Sequence, residues 1–169
     1  MRALTTRGYL ALILLVGAII AGVGFAGSAL AQDRVVIHAT GTFDVQMAVG
    51  DEEAVEAGLG LSRYTLSKTF SGGLSGTGVG QMLAGGPAGS QDTGTYVAIE
   101  RVVGVLDGRE GAFMMAHRGD MTPEGYTLSI TVVPNSGTGA LTGIEGEFVL
   151  TVTPDGEHHY DLAYSLPTL

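Results

Sequence analysis

The sequence contains no cysteine. That excludes a disulfide scaffold, a thiolate zinc site, a cysteine nucleophile and a lipid-modified cysteine anchor. Positive charge is also scarce: 8 Lys and Arg stand against 17 Asp and Glu, a formal net charge of −9. Phosphate binding needs a basic surface, so a nucleic-acid partner is excluded. No stretch after residue 60 keeps a 3.6-residue apolar face, which argues against a helical domain. HxH and HExxH spacings are missing, and no Gly-x-Ser-x-Gly elbow occurs. Neither a zinc-protease helix nor a triad hydrolase is indicated, and no cofactor is implied.

Glycine, by contrast, is plentiful, at 28 of 169 residues. The usual share is ~7%, and there is no Gly-X-Y period, so the glycines belong to turns and bulges. The length suits one domain after a leader. Arg2 and Arg7 precede an unbroken apolar run from Tyr9 to Gly27, and Ala29-Leu30-Ala31 supplies the small residues of a cleavage site. This order is that of a secretory signal peptide over residues 1–31. The alternative is an uncleaved anchor, since the run approaches the ~20 residues that span a bilayer. Cleavage would leave residues 32–169, with 6 basic and 17 acidic groups and a net charge of −11. The expected location is secreted or periplasmic, or membrane-anchored and outward-facing, with membrane contact only through residues 8–31.

The remainder alternates with period 2 and breaks at turn residues every ten or so positions. Expected strands are Val35–Ala48, Arg63–Ser71, Gly76–Ala84, Thr95–Leu106, Gly111–Gly119, Tyr126–Val133, Gly146–Thr153 and His158–Leu166. Glu52–Gly58 has room for one helical turn, and Gly85–Asp92 reads as a loop at a barrel mouth. Eight strands with short connections predict an all-β fold, an antiparallel eight-stranded barrel over 32–169, because closure removes exposed strand edges. A β-sandwich is the alternative. Glycines inside expected strands, such as Gly78, Gly80 and Gly104, favour open interior volume. One repeat stands out: Gly104-Val-Leu-Asp-Gly-Arg-Glu-Gly-Ala-Phe113 against Gly139-Ala-Leu-Thr-Gly-Ile-Glu-Gly-Glu-Phe148. Both copies read as strand, tight turn, strand, and Asp107-Gly108 is a strong type I′ hairpin signal.

An ordered set of motifs adds to this reading. Thr69-Phe-Ser-Gly72, Tyr96-Val-Ala-Ile-Glu-Arg101, Gly111-x-Phe-x-x-x-His117, Val132-Val-Pro-Asn-Ser-Gly-Thr-Gly139, Leu141-Thr-Gly-Ile-Glu-Gly146 and His158-x-Tyr160-x-x-x-Tyr164 follow one another. From about Ala39 to Leu166 the chain resembles domain-of-unknown-function family 3224, small bacterial proteins of about this mature length. The resemblance implies a lipocalin-like barrel of eight strands, grouped with the allene oxide cyclase-like barrels, and no settled reaction. The leader is an addition to the commoner, leaderless form.

Few residues are suited to chemistry. Glu100 lies mid-strand among apolar residues on the face of Tyr96, Ala98 and Val102. Buried there, it would have a raised pKa and serve as an acid or base. Exposed, it would pair with a base on a neighbouring strand. His117 lies on the face of Phe113 and Met115, either as a partner of Glu100 or as a satisfied core histidine. His158, Tyr160 and Tyr164 share one face of the last strand and, with Tyr96, offer apolar bodies with polar handles for a ligand. The opposing reading gives each tyrosine hydroxyl a backbone partner in a filled core. His158 and His159 point to opposite faces and cannot share a metal, so no metal site is expected. Three functions remain open. One is a binding module for a small apolar or amphipathic molecule. Another is a cyclase, isomerase or acid-assisted hydrolase using Glu100 with His117 or Asp161. The third is an interaction protein with a filled barrel.

N-terminal sequencing of secreted material is expected to read Gln32-Asp33-Arg34. Recovery of the intact chain in the membrane fraction would favour the anchor.

Overall fold

A computed structural model describes residues 34–50, 60–87 and 93–168. The expected leader, the expected helical turn Glu52–Gly58 and residues 88–92 of the expected mouth loop lie outside the described residues. The described chain is all-β, without a helix. Its strands are β1 (Ile37–Val49), β2 (Leu61–Gly72), β3 (Leu74–Gly85), β4 (Gly94–Leu106), β5 (Arg109–Thr122), β6 (Gly125–Val132), β7 (Thr138–Gly139), β8 (Glu145–Val152) and β9 (His158–Ser165).

Consecutive strands from β1 to β6 pair antiparallel, β6 pairs β8, β8 pairs β9, and β9 returns to β1. Eight long strands therefore close into a barrel, and the sandwich alternative is excluded. The ladders are not equal. β3 and β4 pair along twelve residues, whereas β6 and β8 meet at Thr131 and Glu147 alone. Alternation decides which side chains fill the interior. Along β4, Ala98, Glu100, Val102 and Leu106 are buried, while Val97, Ile99, Arg101 and Val103 face outward.

Among the described residues, the barrel has one sealed end and one open end. At the sealed end Leu74, Leu106, Leu162 and Tyr164 are fully buried, and Leu141 and Ile144 plug the opening. The plug comes from the segment expected to form the second hairpin. It does not form one: β7 is two residues long and pairs with β5, and the Ala140 N–H donates to the Glu110 carbonyl (2.9 Å). What the two repeat copies share is their buried pattern. Leu106 and Leu141 are both buried, as are Phe113 and Phe148. The first copy is a hairpin, with φ 45° at Asp107 and 79° at Gly108, as a type I′ turn requires.

The strand glycines do not hold volume open, contrary to the expectation. Gly76 and Gly104 are paired partners, and a Cβ on either would run into the other strand's backbone. They let β3 and β4 approach closely at this point of the ladder. A Cβ on Gly78 would overlap Oε1 of Glu100, so that glycine makes room for the carboxylate.

Gly108→Val is expected to cost on the order of 1 kcal/mol or more, from the positive φ alone, since nothing lies near a Cβ there. Gly104→Val should cost more, because it adds a clash with β3. Denaturant midpoints check both, and equal values would mean that close strand approach is not what Gly104 provides.

Candidate functional site

Halfway along the barrel, three charged or ionisable side chains meet in the interior. β4 supplies Glu100, with no solvent exposure, β2 supplies Lys68, at 8%, and β5 supplies His117. The Lys68 ammonium donates to Glu100 Oε2 at 2.7 Å. Nε2 of His117 stands 3.1 Å from the same oxygen but is not aligned for a hydrogen bond. Glu100 Oε1 has no partner among the described residues. Lys68 Nζ also lies 4.8 Å from the centre of the Phe43 ring and 5.8 Å from that of Phe70, close enough for cation–π attraction.

The electrostatics differ from the sequence expectation. Burial alone pushes the Glu100 carboxyl up, as expected. The neighbouring His117 ring nitrogen and the Lys68 ammonium outweigh that and hold it below the ordinary glutamate value. Glu100 is therefore an ionised carboxylate, suited to accept a proton or hold a cation rather than to act as an acid near neutral pH. Asp161 does not join it. Asp161 points out of the barrel and bonds Nδ1 of His38 at 2.8 Å, so a Glu100–Asp161 pair is excluded.

The tyrosines of β9 are interior, but their hydroxyls have partners. Tyr160 accepts from the Leu74 N–H (2.8 Å) and donates to the Leu74 carbonyl (3.2 Å), tying β9 to the β2–β3 turn. Tyr164 donates to Asp107 Oδ2 (2.9 Å), and burial and Asp107 together push its phenol up to about 12. Rings of Phe43, Phe70, Phe148 and Tyr160 pack at centroid distances of 5.2–6.3 Å. Half-buried His158 lies against Phe43, with ring centres 5.0 Å apart. These residues form the aromatic floor on which Lys68 rests.

Tyr96 differs. It lines a cavity of about 520 Å³ at the open end, with Met47, Leu61, Tyr64, Met82 and Met121 among its other walls. Its hydroxyl pairs with that of Tyr126 at 2.9 Å, and burial and this pairing raise its pKa. Tyr64 and Lys68 share the inward face of β2, and Tyr96 and Glu100 that of β4. In each strand the cavity residue precedes the charged one by four positions, about 13 Å.

Sequence reasoning missed Lys68. The available signals were its place on the Leu66–Phe70 face and its being the only lysine in the chain.

Fold and site define a class: a closed, antiparallel eight-stranded barrel with a buried ion pair at mid-height. The family described as "Protein of unknown function (DUF3224)" matches residues 39–164, and the chain belongs to that family. A crystal structure of a DUF3224 family protein of unknown function from Shewanella oneidensis MR-1 is similar, at 38% identity and a TM-score of 0.71. The match covers 79% of this chain and 100% of that one. No curated protein matches the sequence.

Replacing Glu100 by Leu is expected to cost about 3–5 kcal/mol, because it leaves the Lys68 ammonium buried without a counter-charge. The Lys68→Met/Glu100→Leu pair should recover most of that loss. Glu100 has a depressed folded pKa, so its contribution is present above the unfolded value of about 4.3. That contribution is lost as pH falls through the folded pKa. The native protein should therefore lose more stability than the double variant between about pH 5 and pH 3. Additive losses in the double variant, measured by chemical denaturation, would show that the two residues do not act as a pair.

Proposed function

We propose that this protein is an exported barrel that holds a small, uncharged amphipathic molecule in its mouth. The observation that carries this reading is the cavity of about 520 Å³ above a filled core. Its size lies within the ~300–1,000 Å³ of small-molecule sites. Among the described residues, no charged side chain lines it. Methionine and aliphatic walls suit an apolar body, and the Tyr64 and Tyr96 hydroxyls suit one or two polar groups on it. Export rests on the leader pattern of residues 1–31. The closed eight-stranded topology is compatible with a place among the allene oxide cyclase-like barrels.

A second reading is favoured by the 3.1 Å approach of His117 to Glu100. In it the ionised Glu100 is a general base for an isomerase or cyclase, with His117 and Lys68 keeping it ionised. That chemistry would need a substrate that reaches past Leu66 and Ala98, both buried between the cavity and the charges. The mouth-binding reading needs no such passage and is preferred.

Native mass spectrometry of protein recovered from the secreted fraction is expected to show an added small-molecule mass. Met121→Arg, at the mouth wall, should abolish it without changing the circular dichroism spectrum. The bare polypeptide mass in the unaltered protein would sink the proposal.

A further inference from the structure

We propose that the outer wall of the barrel carries a second binding groove, separate from the mouth, for an amphipathic anion of the single-chain carboxylate class. Strand register builds the groove. Arg63, Leu83, Val97 and Arg118 stand side by side across β2, β3, β4 and β5. The next row holds Thr65, Gln81, Ile99 and Ala116. Alternation turns both rows outward, opposite to Tyr64, Met82 and Ala98. Strands lie about 4.8 Å apart, so each row runs for about 14 Å across the sheet. The small side chain of Ala116 leaves a depression between larger neighbours. The groove measures about 440 Å³, with Arg63 at one edge and Leu83, Val97 and Ile99 on its floor.

Two features define the ligand. The floor is apolar and open to solvent: Val97 is 50% exposed and Ile99 52%. Contiguous apolar surface of this kind marks interaction sites on soluble proteins. The two arginines that bracket the first row are not equivalent. Arg118 is engaged by Asp120 at 2.9 Å, whereas Arg63 makes no ion pair among the described residues. An arginine with no acidic partner among the described residues, beside an apolar trough, is a complementary feature for an anion. The carboxylate sits on the Arg63 guanidinium, which offers a planar two-pronged donor. The aliphatic tail lies across Leu83, Val97 and Ile99. A neutral lipid would leave Arg63 unused, and a second copy of this chain laid face to face would bring like charges together.

The test uses sodium dodecanoate below its micelle concentration, with dodecanol as the uncharged control. It is titrated into isotope-labelled protein and followed by NMR. Dodecanoate is expected to shift the Leu83, Val97 and Ile99 amides saturably. Arg63→Gln should raise its dissociation constant about threefold to fivefold, the worth of one exposed charge pair. Dodecanol should be indifferent to that substitution. Val97→Asp, which places a carboxylate on the floor, should abolish dodecanoate binding in a protein with an unchanged dichroism spectrum. Shifts confined to Tyr64 and Tyr96 would assign the anion to the mouth and overturn the proposal. So would equal affinity in Arg63→Gln, or a ligand-free dimer, seen by sedimentation, that covers Leu83 and Val97. None of these outcomes bears on the mouth cavity, which is read separately through Met121→Arg, a residue of the mouth that does not line the groove.

Discussion

The 2.7 Å contact between Lys68 and Glu100 fixes which way two walls of the barrel face. A strand has only two faces, and a slip of one residue exchanges them. If β4 slipped, Arg101 would enter and Glu100 would leave, putting two cations in the same apolar interior. The correct register instead joins opposite charges and surrounds them with Phe43, Phe70 and His117. Bringing two charges out of water is expensive, and such a pair adds little net stability over apolar residues of the same shape. Its contribution is to penalise the wrong register. Gly78 belongs to the same arrangement, since any side chain there would displace the carboxylate.

That central layer divides the barrel interior into two parts. Below it, the interior is filled to the plug formed by Leu141 and Ile144, and the hydroxyls of Tyr160 and Tyr164 are used to bind strand ends together. Above it, residues grow more exposed along each strand, and methionines and tyrosines replace the close-packed rings. A barrel of about eight strands is only just wide enough for either side chains or one small ligand. This chain fills the lower part with side chains, and among the described residues the mouth holds a cavity of about 520 Å³.

Much of this architecture was legible. β4 was expected at 95–106 and lies at 94–106, and β9 at 158–166 and lies at 158–165. Alternation is unambiguous where one face must be apolar. The same parity grouped Glu100 with Tyr96, Ala98 and Val102, and His117 with Phe113 and Met115, but both faces of β4 are partly apolar and parity alone left open which of them points inward. Three things were not legible because each depends on a residue distant in sequence. The Glu100 pKa could not be read without Lys68, 32 positions earlier. The roles of Tyr160 and Tyr164 depend on a turn at Leu74 and on Asp107. The cap at 137–144 looked like a hairpin because its sequence copies one, yet its buried leucine and isoleucine close a barrel end that only the tertiary fold creates.

The glycine count acquires a different meaning from the same comparison. Glycine can reflect empty space, or it can reflect backbone already occupying the place of a side chain. At Gly76 and Gly104 the second holds, because each faces the other's strand at a distance that excludes a Cβ. Close approach there belongs to the β3–β4 ladder, and it is the outer side of this pair that carries Leu83, Val97 and Ile99. Interior glycines and exterior apolar residues thus occur on the same two strands. Among the described residues, the open volume of the interior therefore lies at the mouth, on the far side of the Lys68–Glu100 layer from the Leu141 and Ile144 plug.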